Sequence, residues 1–219
     1  MIAIVDYGGG NVRSVLRAVL AANAHAPGAG DVALVRDPDL LRRADRVIFP
    51  GQGAMPDCME SLSRSGLAEA LREVIAQKPF FGICVGQQML FDHSEEGDTP
   101  GLGIIAGQVI RFTPARGAVD SDGRPLKVPH MGWNRVAFRR PHPVLEGLDT
   151  MAQGDWFYFV HSFYAEPALP ADVLGETDYG RRFVCAVARD NIIATQFHPE
   201  KSAAAGQRLL VNFCQWKPS

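Results

Sequence analysis

Apolar runs alternate with amphipathic ones through the first half of the chain. Ile2–Val5 is an apolar run that stops at Asp6-Tyr7-Gly8-Gly9-Gly10. Asn11, a residue type favoured at helix N-caps, then opens a segment with Val12, Val15, Leu16, Val19 and Leu20 on one face at helical spacing. The pattern predicts strand, glycine turn, helix. Val32–Val35 and the stretches 46–49 and 79–83 read as further short strands. Between them, 38–43 reads as a brief helix that starts on proline. Residues 66–77 read as a longer one, with Leu67, Ala70, Leu71, Val74 and Ile75 inward, and 85–93 as the next. Strands that alternate with helices predict βαβ units and an α/β fold whose mostly parallel central sheet is flanked by helices.

The second half changes character. Stretches 109–112, 127–129, 134–138, 156–160 and 173–177 are short, β-type and separated by turns. Runs 183–189 and 192–196 flank Asp190-Asn191, and a two-residue polar link between such runs predicts a tight hairpin. Residues 202–216 read as a final helix with Leu209, Leu210, Phe213 and Trp216 apolar, and the Gly, Asp and Ser-rich segment 113–124 as a mobile surface loop. No repeat or linker divides the chain, so the expectation is a single domain, 1–219, with an antiparallel β extension.

Composition narrows the function classes. Of 219 residues 47% are hydrophobic and 21% charged, enough for a sizeable core without disulfides or metals. The net charge of -2 leaves no basic footprint, which predicts no nucleic-acid partner. No apolar run approaches the roughly 20 residues that a membrane helix needs. The opening MIAIVDYGGGN lacks the features of a signal peptide, so a cytoplasmic protein with no membrane partner is expected. The four cysteines, Cys58, Cys84, Cys185 and Cys214, show no C-x-x-C spacing, and disulfides are not expected in a reducing compartment. Neither a metal nor a cofactor is called for.

One junction carries chemistry. Strand-like Pro79–Ile83 meets a helical pattern at Cys84, inside a G-x-C-x-G of Gly82, Cys84 and Gly86. This is the arrangement of a nucleophile elbow with Cys in place of Ser. A thiolate there would be favoured by the positive helix end, and free N–H groups, chiefly that of Val85, would stabilise an oxyanion. A buried structural cysteine fits the same short motif, so three other strand-end segments matter. Phe49-Pro50-Gly51-Gln52-Gly53 would reach the same carboxyl edge of a parallel sheet. In Thr195-Gln196-Phe197-His198-Pro199-Glu200, positions two apart on an extended chain point the same way, pairing His198 as base with Glu200 as its orienter. Val160-His161-Ser162-Phe163 could offer backbone groups to a small zwitterion. His25, His93 and His142 read as ordinary polar residues.

Together, G-x-C-x-G-Q-Q at 82–88, P-G-x-G at 50–53 and F-H-P-E at 197–200 resemble the class I (triad) glutamine amidotransferases, in that family's Cys, His, Glu order and over essentially the whole chain. IVDYGGGN, PGQGAMPDCM, KVPHMGWN at 127–134 and FVHSFY at 159–164 look like the glutaminase subunits of the imidazole glycerol phosphate synthases. The resemblance implies a flavodoxin-like fold, with Cys84 as nucleophile, His198 as general base and acid, and Glu200 orienting it. It implies an oxyanion hole from Val85 N–H and an N–H of the Gln52–Gly53 stretch, and a glutamine held by Gln88 and the backbone around His161, Ser162 and Phe163. Family members are thought to keep the oxyanion loop misaligned until the partner is liganded. Glycines on both sides of Gln52 would ease a peptide flip.

The implied partner is a (β/α)8-barrel cyclase in a heterodimer, which uses the ammonia to make imidazole glycerol phosphate and AICAR in histidine biosynthesis. Pro129, His130, Met131, Trp133 and Asn134 would lie at or near that interface. Met and Trp are enriched at interfaces, though core packing suits Met131 and Trp133 equally. No G-x-x-x-x-G-K-[ST] loop is present, which assigns the acceptor chemistry to another chain. The alternatives are a glutaminase feeding a different synthase and a stand-alone cysteine hydrolase.

Overall fold

Four-residue apolar strands with no polar face must be covered on both sides, and the chain does this with a layered α/β architecture. A computed structural model describes residues 1–115, 117–119, 123–149 and 154–218. The first half runs β1 (Ile2–Val5), α1 (Val12–Asn23), β2 (Val32–Val35), α2 (Pro38–Arg42), β3 (Arg46–Gly51), α3 (Met55–Ser65), α4 (Ala68–Ile75), β4 (Phe80–Cys84) and α5 (Val85–Gln88). The second half runs β5 (His93–Ser94), β6 (Thr99–Pro100), β7 (Gly107–Arg111), β8 (His130–Phe138), β9 (Asp155–His161), β10 (Phe163–Pro167), β11 (Val173–Asp178), β12 (Arg182–Arg189), β13 (Ile192–Thr195) and α6 (Ala203–Gln215).

Among the described residues one nine-stranded sheet has the order β2-β1-β3-β4-β13-β12-β11-β8-β9. The first five strands are parallel, in the 2-1-3-4-5 order of flavodoxin-like sheets, and the last four extend them antiparallel. Every residue of β1, β4 and β13 is buried. Phe49 packs on Tyr7 and Phe80, while Phe81 packs on Phe213 of α6, so successive side chains of the central strands fill opposite layers. A smaller sheet, β10-β7-β5-β6, joins the large one through Phe112, whose ring meets those of Tyr164 and Phe183.

Several elements depart from the sequence expectations. The helix expected over 66–77 covers only Ala68–Ile75, and an unexpected helix, α3, precedes it. Gly66 separates the two in the left-handed conformation, φ 75°, that ends helices. The helix expected over 85–93 stops after one turn. Leu90 and Phe91 donate to carbonyls three residues back, and the Asp92 N–H turns away to Gly107 O at 3.1 Å. Asn11 sits at the N-cap of α1 but makes no side-chain cap; the preceding turn is held by Asp6, which accepts from Gly8 N–H at 3.3 Å and pairs with Arg36 at 2.8 Å. Residues 127–129 precede a single strand that starts at His130. Of the expected mobile loop, 116 and 120–122 lie outside the described residues; Val119 and Pro125 form a β-bridge.

A Cβ on Gly86 would sit 2.0 Å from Phe49 O, whereas one on Gly66 would meet nothing. Urea unfolding is expected to show Gly86→Ala losing about 3 kcal/mol and Gly66→Ala, where only the positive φ is strained, about 1 kcal/mol. Equal losses would show that the contact does not constrain the fold.

Candidate active site

Parallel pairing sets the site. Gly51 pairs with Cys84 and Thr195 with Ile83, so the carboxyl ends of β3, β4 and β13 lie side by side. Cys84 is the last residue of β4 and has φ 56° and ψ -115°, an unusual conformation for a residue with a side chain. Three glycines make the turn possible. A Cβ on Gly51 would lie 2.5 Å from Gly86 N, one on Gly86 2.0 Å from Phe49 O, and one on Gly82 3.0 Å from Ala194 Cβ. The end of β3 is thus pressed directly against the elbow.

His198 and Glu200 follow β13. The Nδ1–H of His198 donates to Glu200 Oε1 at 2.8 Å, with both side chains buried. The contact was expected, but its local geometry differs: Glu200 sits in a 3-10 turn, Pro199–Lys201, not on extended chain. A clamp to β9 holds this turn. His198 N–H donates to Tyr158 O at 2.9 Å, Tyr158 N–H donates to Ser202 Oγ at 2.9 Å, and Ser202 Oγ–H donates to His198 O at 2.6 Å.

His198 Nε2 is buried and has no hydrogen-bond partner of normal geometry. The pKa of His198 is nevertheless pushed up to about 10: burial opposes the charge, but the adjacent Cys84 sulfur and then Glu200 outweigh it. A proton on the ring is thus favoured. Since α5 is one turn long, its dipole is weaker than that of the longer helix expected over 85–93.

A cavity of about 290 Å³ opens at this edge, lined by Gln52, Gly53, Cys84, Val85, Gln88, Glu96, Pro129, Val160, His161, Ser162, Phe163 and His198. Every residue expected at the oxyanion hole and around the substrate lines it, with Glu200 behind His198. Gln52 O accepts from Cys58 Sγ at 3.3 Å, and Gly53 has φ 94°. Gln88 uses its Nε2 within the protein, donating to Phe163 O at 3.1 Å and Gln196 Oε1 at 2.8 Å. Glu96, which sequence reading missed, accepts from Met55 N–H at 2.8 Å through Oε2 and brings a carboxylate to the wall. The Glu95-Glu96 pair was the only signal for it, and nothing local ties that pair to the cavity. Gln196, also missed, donates to Cys84 Sγ at 3.7 Å.

The residues expected at the interface divide. Met131 and Trp133 are 61% and 49% exposed, and Trp156, opposite Arg135 on β9, is 48% exposed. Pro129 lines the cavity and Asn134 is half-buried, donating to Asp178 O at 2.8 Å. His130 is a correction: it is 2% exposed and stacked between Tyr179 and Phe159 at 4.0 and 4.8 Å, because alternation along β8 turns it inward. Burial lowers its pKa to about 3, and that of His161 to about 4.

The family Glutamine amidotransferase class-I matches residues 3–216. The chain is 55% identical over 217 residues to the imidazole glycerol phosphate synthase subunit HisH of Aromatoleum aromaticum, spanning 99% of each. It is 54% identical over 215 residues to the protein of the same name from Chromobacterium violaceum, spanning 98% of this chain and 97% of that one. A crystal structure of a glutamine amidotransferase shares the fold, with a TM-score of 0.68 at 17% identity over 97% of this chain and 98% of that one.

The folded-state pKa of His198 lies above the ordinary 6.5, so its protonation favours the folded state. That contribution is complete below about 6.5 and is lost as pH rises through about 10. In an NMR titration of the His198 ring, Cys84→Ala is expected to lower the pKa, since the sulfur is the first of the influences that raise it. An unchanged titration would separate the two side chains.

Proposed function

Because the chain belongs to the class I glutamine amidotransferase family, we propose that it is the glutaminase subunit of an imidazole glycerol phosphate synthase. It hydrolyses glutamine to glutamate and ammonia with Cys84, His198 and Glu200, and passes the ammonia to a cyclase partner. The observation that carries this reading is the His198–Glu200 pair, 2.8 Å apart, behind a strained Cys84 on the wall of a cavity sized for one amino acid. Full-length identity of 55% and 54% to proteins named as subunits of that synthase supports the pathway.

In this mechanism glutamine enters with its α-ammonium toward Glu96 and its carboxamide toward Cys84. The Cys84 sulfur attacks the carboxamide carbon. Val85 N–H and an N–H of the Gln52–Gly53 stretch take the developing oxyanion. Collapse breaks the C–N bond, and the imidazolium of His198 gives its proton to the leaving ammonia. The raised proton affinity of the ring suits it to act as the acid in this step. Water then attacks the thioester with His198 as base, and glutamate leaves with the thiolate restored. Glu200 fixes the ring and balances its charge throughout.

The cyclase is assigned to the outer face of β8 and β9. Met131, Trp133 and Trp156 stand exposed there, Trp133 lies edge-on to Tyr158 at 6.1 Å, and Arg135 covers Trp156 at 5.0 Å. Large aromatic side chains on an uncovered sheet face fit a protein partner. The oxyanion peptide, whose Gln52 carbonyl rests on Cys58, is the element that partner binding would realign. Among the described residues no helix is long and apolar enough to cross a membrane, and all four cysteines are free thiols. Free thiols accord with placing the reaction in the reducing cytoplasm.

Glutamate release from glutamine is expected to fall at least about 10³-fold in Cys84→Ser, and to rise in the wild type when the barrel cyclase and its ribonucleotide are added. Undiminished turnover in Cys84→Ser would sink the assignment. Trp133→Ala is expected to weaken binding of the cyclase by at least tenfold, about 1.4 kcal/mol or more, in titration calorimetry. An unaltered affinity would remove that face from the interface.

A further inference from the structure

A network of hydrogen bonds that converges on the carbonyl oxygen of Phe163 reaches the nucleophile without passing through His198 or Glu200. Its direction is set by an atom that can only accept, the carbonyl oxygen of Phe163. His161 Nδ1 lies 2.9 Å from that oxygen and therefore carries a proton. Burial keeps His161 neutral, so its Nε2 is an acceptor. His130 Nδ1 lies 2.9 Å from that Nε2 and must donate to it. Burial also keeps His130 neutral, which leaves its own Nε2 to accept from Asn134 Nδ2 at 3.5 Å.

The chain continues inward from the same carbonyl. Gln88 Nε2 donates one hydrogen to Phe163 O at 3.1 Å and the other to Gln196 Oε1 at 2.8 Å. With its oxygen accepting, Gln196 turns its Nε2 toward Cys84 Sγ at 3.7 Å, a separation suited to the larger radius of sulfur. Rotating the Gln196 amide by half a turn would set its nitrogen against that of Gln88 and its oxygen against the sulfur. Gln196 is fully buried, so water cannot relieve either clash. Only one orientation of each amide and ring survives.

We propose that Gln196 is a further catalytic residue, whose amide N–H donates to the Cys84 sulfur and steadies it as a thiolate, and that Gln88, His161 and His130 are positioning residues that hold that donor in place. The proposal rests on Cys84 being the nucleophile. It also gives Gln88 a defined posture: both its hydrogens are engaged in the wall, and its oxygen is the end left to a ligand.

Two measurements test it. Nitrogen NMR of the wild-type rings is expected to show His130 and His161 both in the Nδ1–H form. Finding either in the Nε2–H form breaks the contacts that tie the rings to Phe163 O and overturns the positioning role of both histidines. The second measurement is the pH profile of iodoacetamide labelling at Cys84, followed by peptide mass spectrometry. Gln196→Met keeps the volume and removes the donor. Its labelling is expected to fall about tenfold near pH 6.5 and not to fall near pH 10. His130→Phe is expected to move the profile the same way by less. A folded Gln196→Met with the wild-type profile overturns the proposal. Labelling requires no glutamine, so the two readings fail separately. An unshifted Gln196→Met profile beside abolished turnover in Cys84→Ser removes the donor and keeps the glutaminase. A wild-type Cys84 that resists labelling across the range removes both.

Discussion

The site depends on one backbone constraint: a residue with a side chain is held at φ 56° where the central strand meets a helix of one turn. Such a conformation costs of order 1–3 kcal/mol and persists only where its surroundings leave no alternative. Here they leave none. The peptide of Phe49 occupies the space that any Cβ on residue 86 would need, and Gly86 N and Val85 fill the space beside Gly51. Parallel pairing of β3 with β4 fixes the approach of these segments to within a residue. The sulfur is therefore presented at the sheet edge by packing beneath it.

The same burial opposes a charge on each of the histidines around it, yet the net outcomes are opposite. His130 and His161 lose affinity for a proton because no anion balances the charge. His198 suffers the same penalty, but Cys84 and Glu200 reverse it. One small region thus favours a proton on His198 and, in the same cavity wall and the packing behind it, keeps two rings neutral. The neutral pair can carry directional hydrogen bonds, since each ring keeps one donor and one acceptor. A cation at either position would offer two donors and break the sequence of contacts.

Much of this was legible in the residues themselves. The glycines around Cys84, the spacing of His198 and Glu200, and the hairpin at Asp190-Asn191, where Asp190 has φ 49°, are local signals, and local geometry realised them. Helix α3 was legible in principle, with Met55, Cys58 and Leu62 buried at helical spacing, but Gly53 and Pro56 obscured its start. The early end of α5 was not, because the group that draws Asp92 N–H away belongs to Gly107. Two-residue strands such as β5 and β6 show no periodicity. Glu96 and Gln196 acquire their roles only from residues distant in sequence that the fold brings to them. KVPHMGWN, read as a unit, was assigned to one surface, yet a strand sends neighbours to opposite faces, so Met131 and Trp133 face out while His130 goes inside.

The posture of Cys84 also bears on how such a protein drifts over generations. Glycine is the residue most at ease at positive φ, and a single exchange there would relax the backbone while deleting the sulfur. The exchange would also give up the buried side chain and its hold on the His198 proton. Backbone comfort and chemical competence therefore pull this position in opposite directions, and demand for the reaction keeps the strained residue in place.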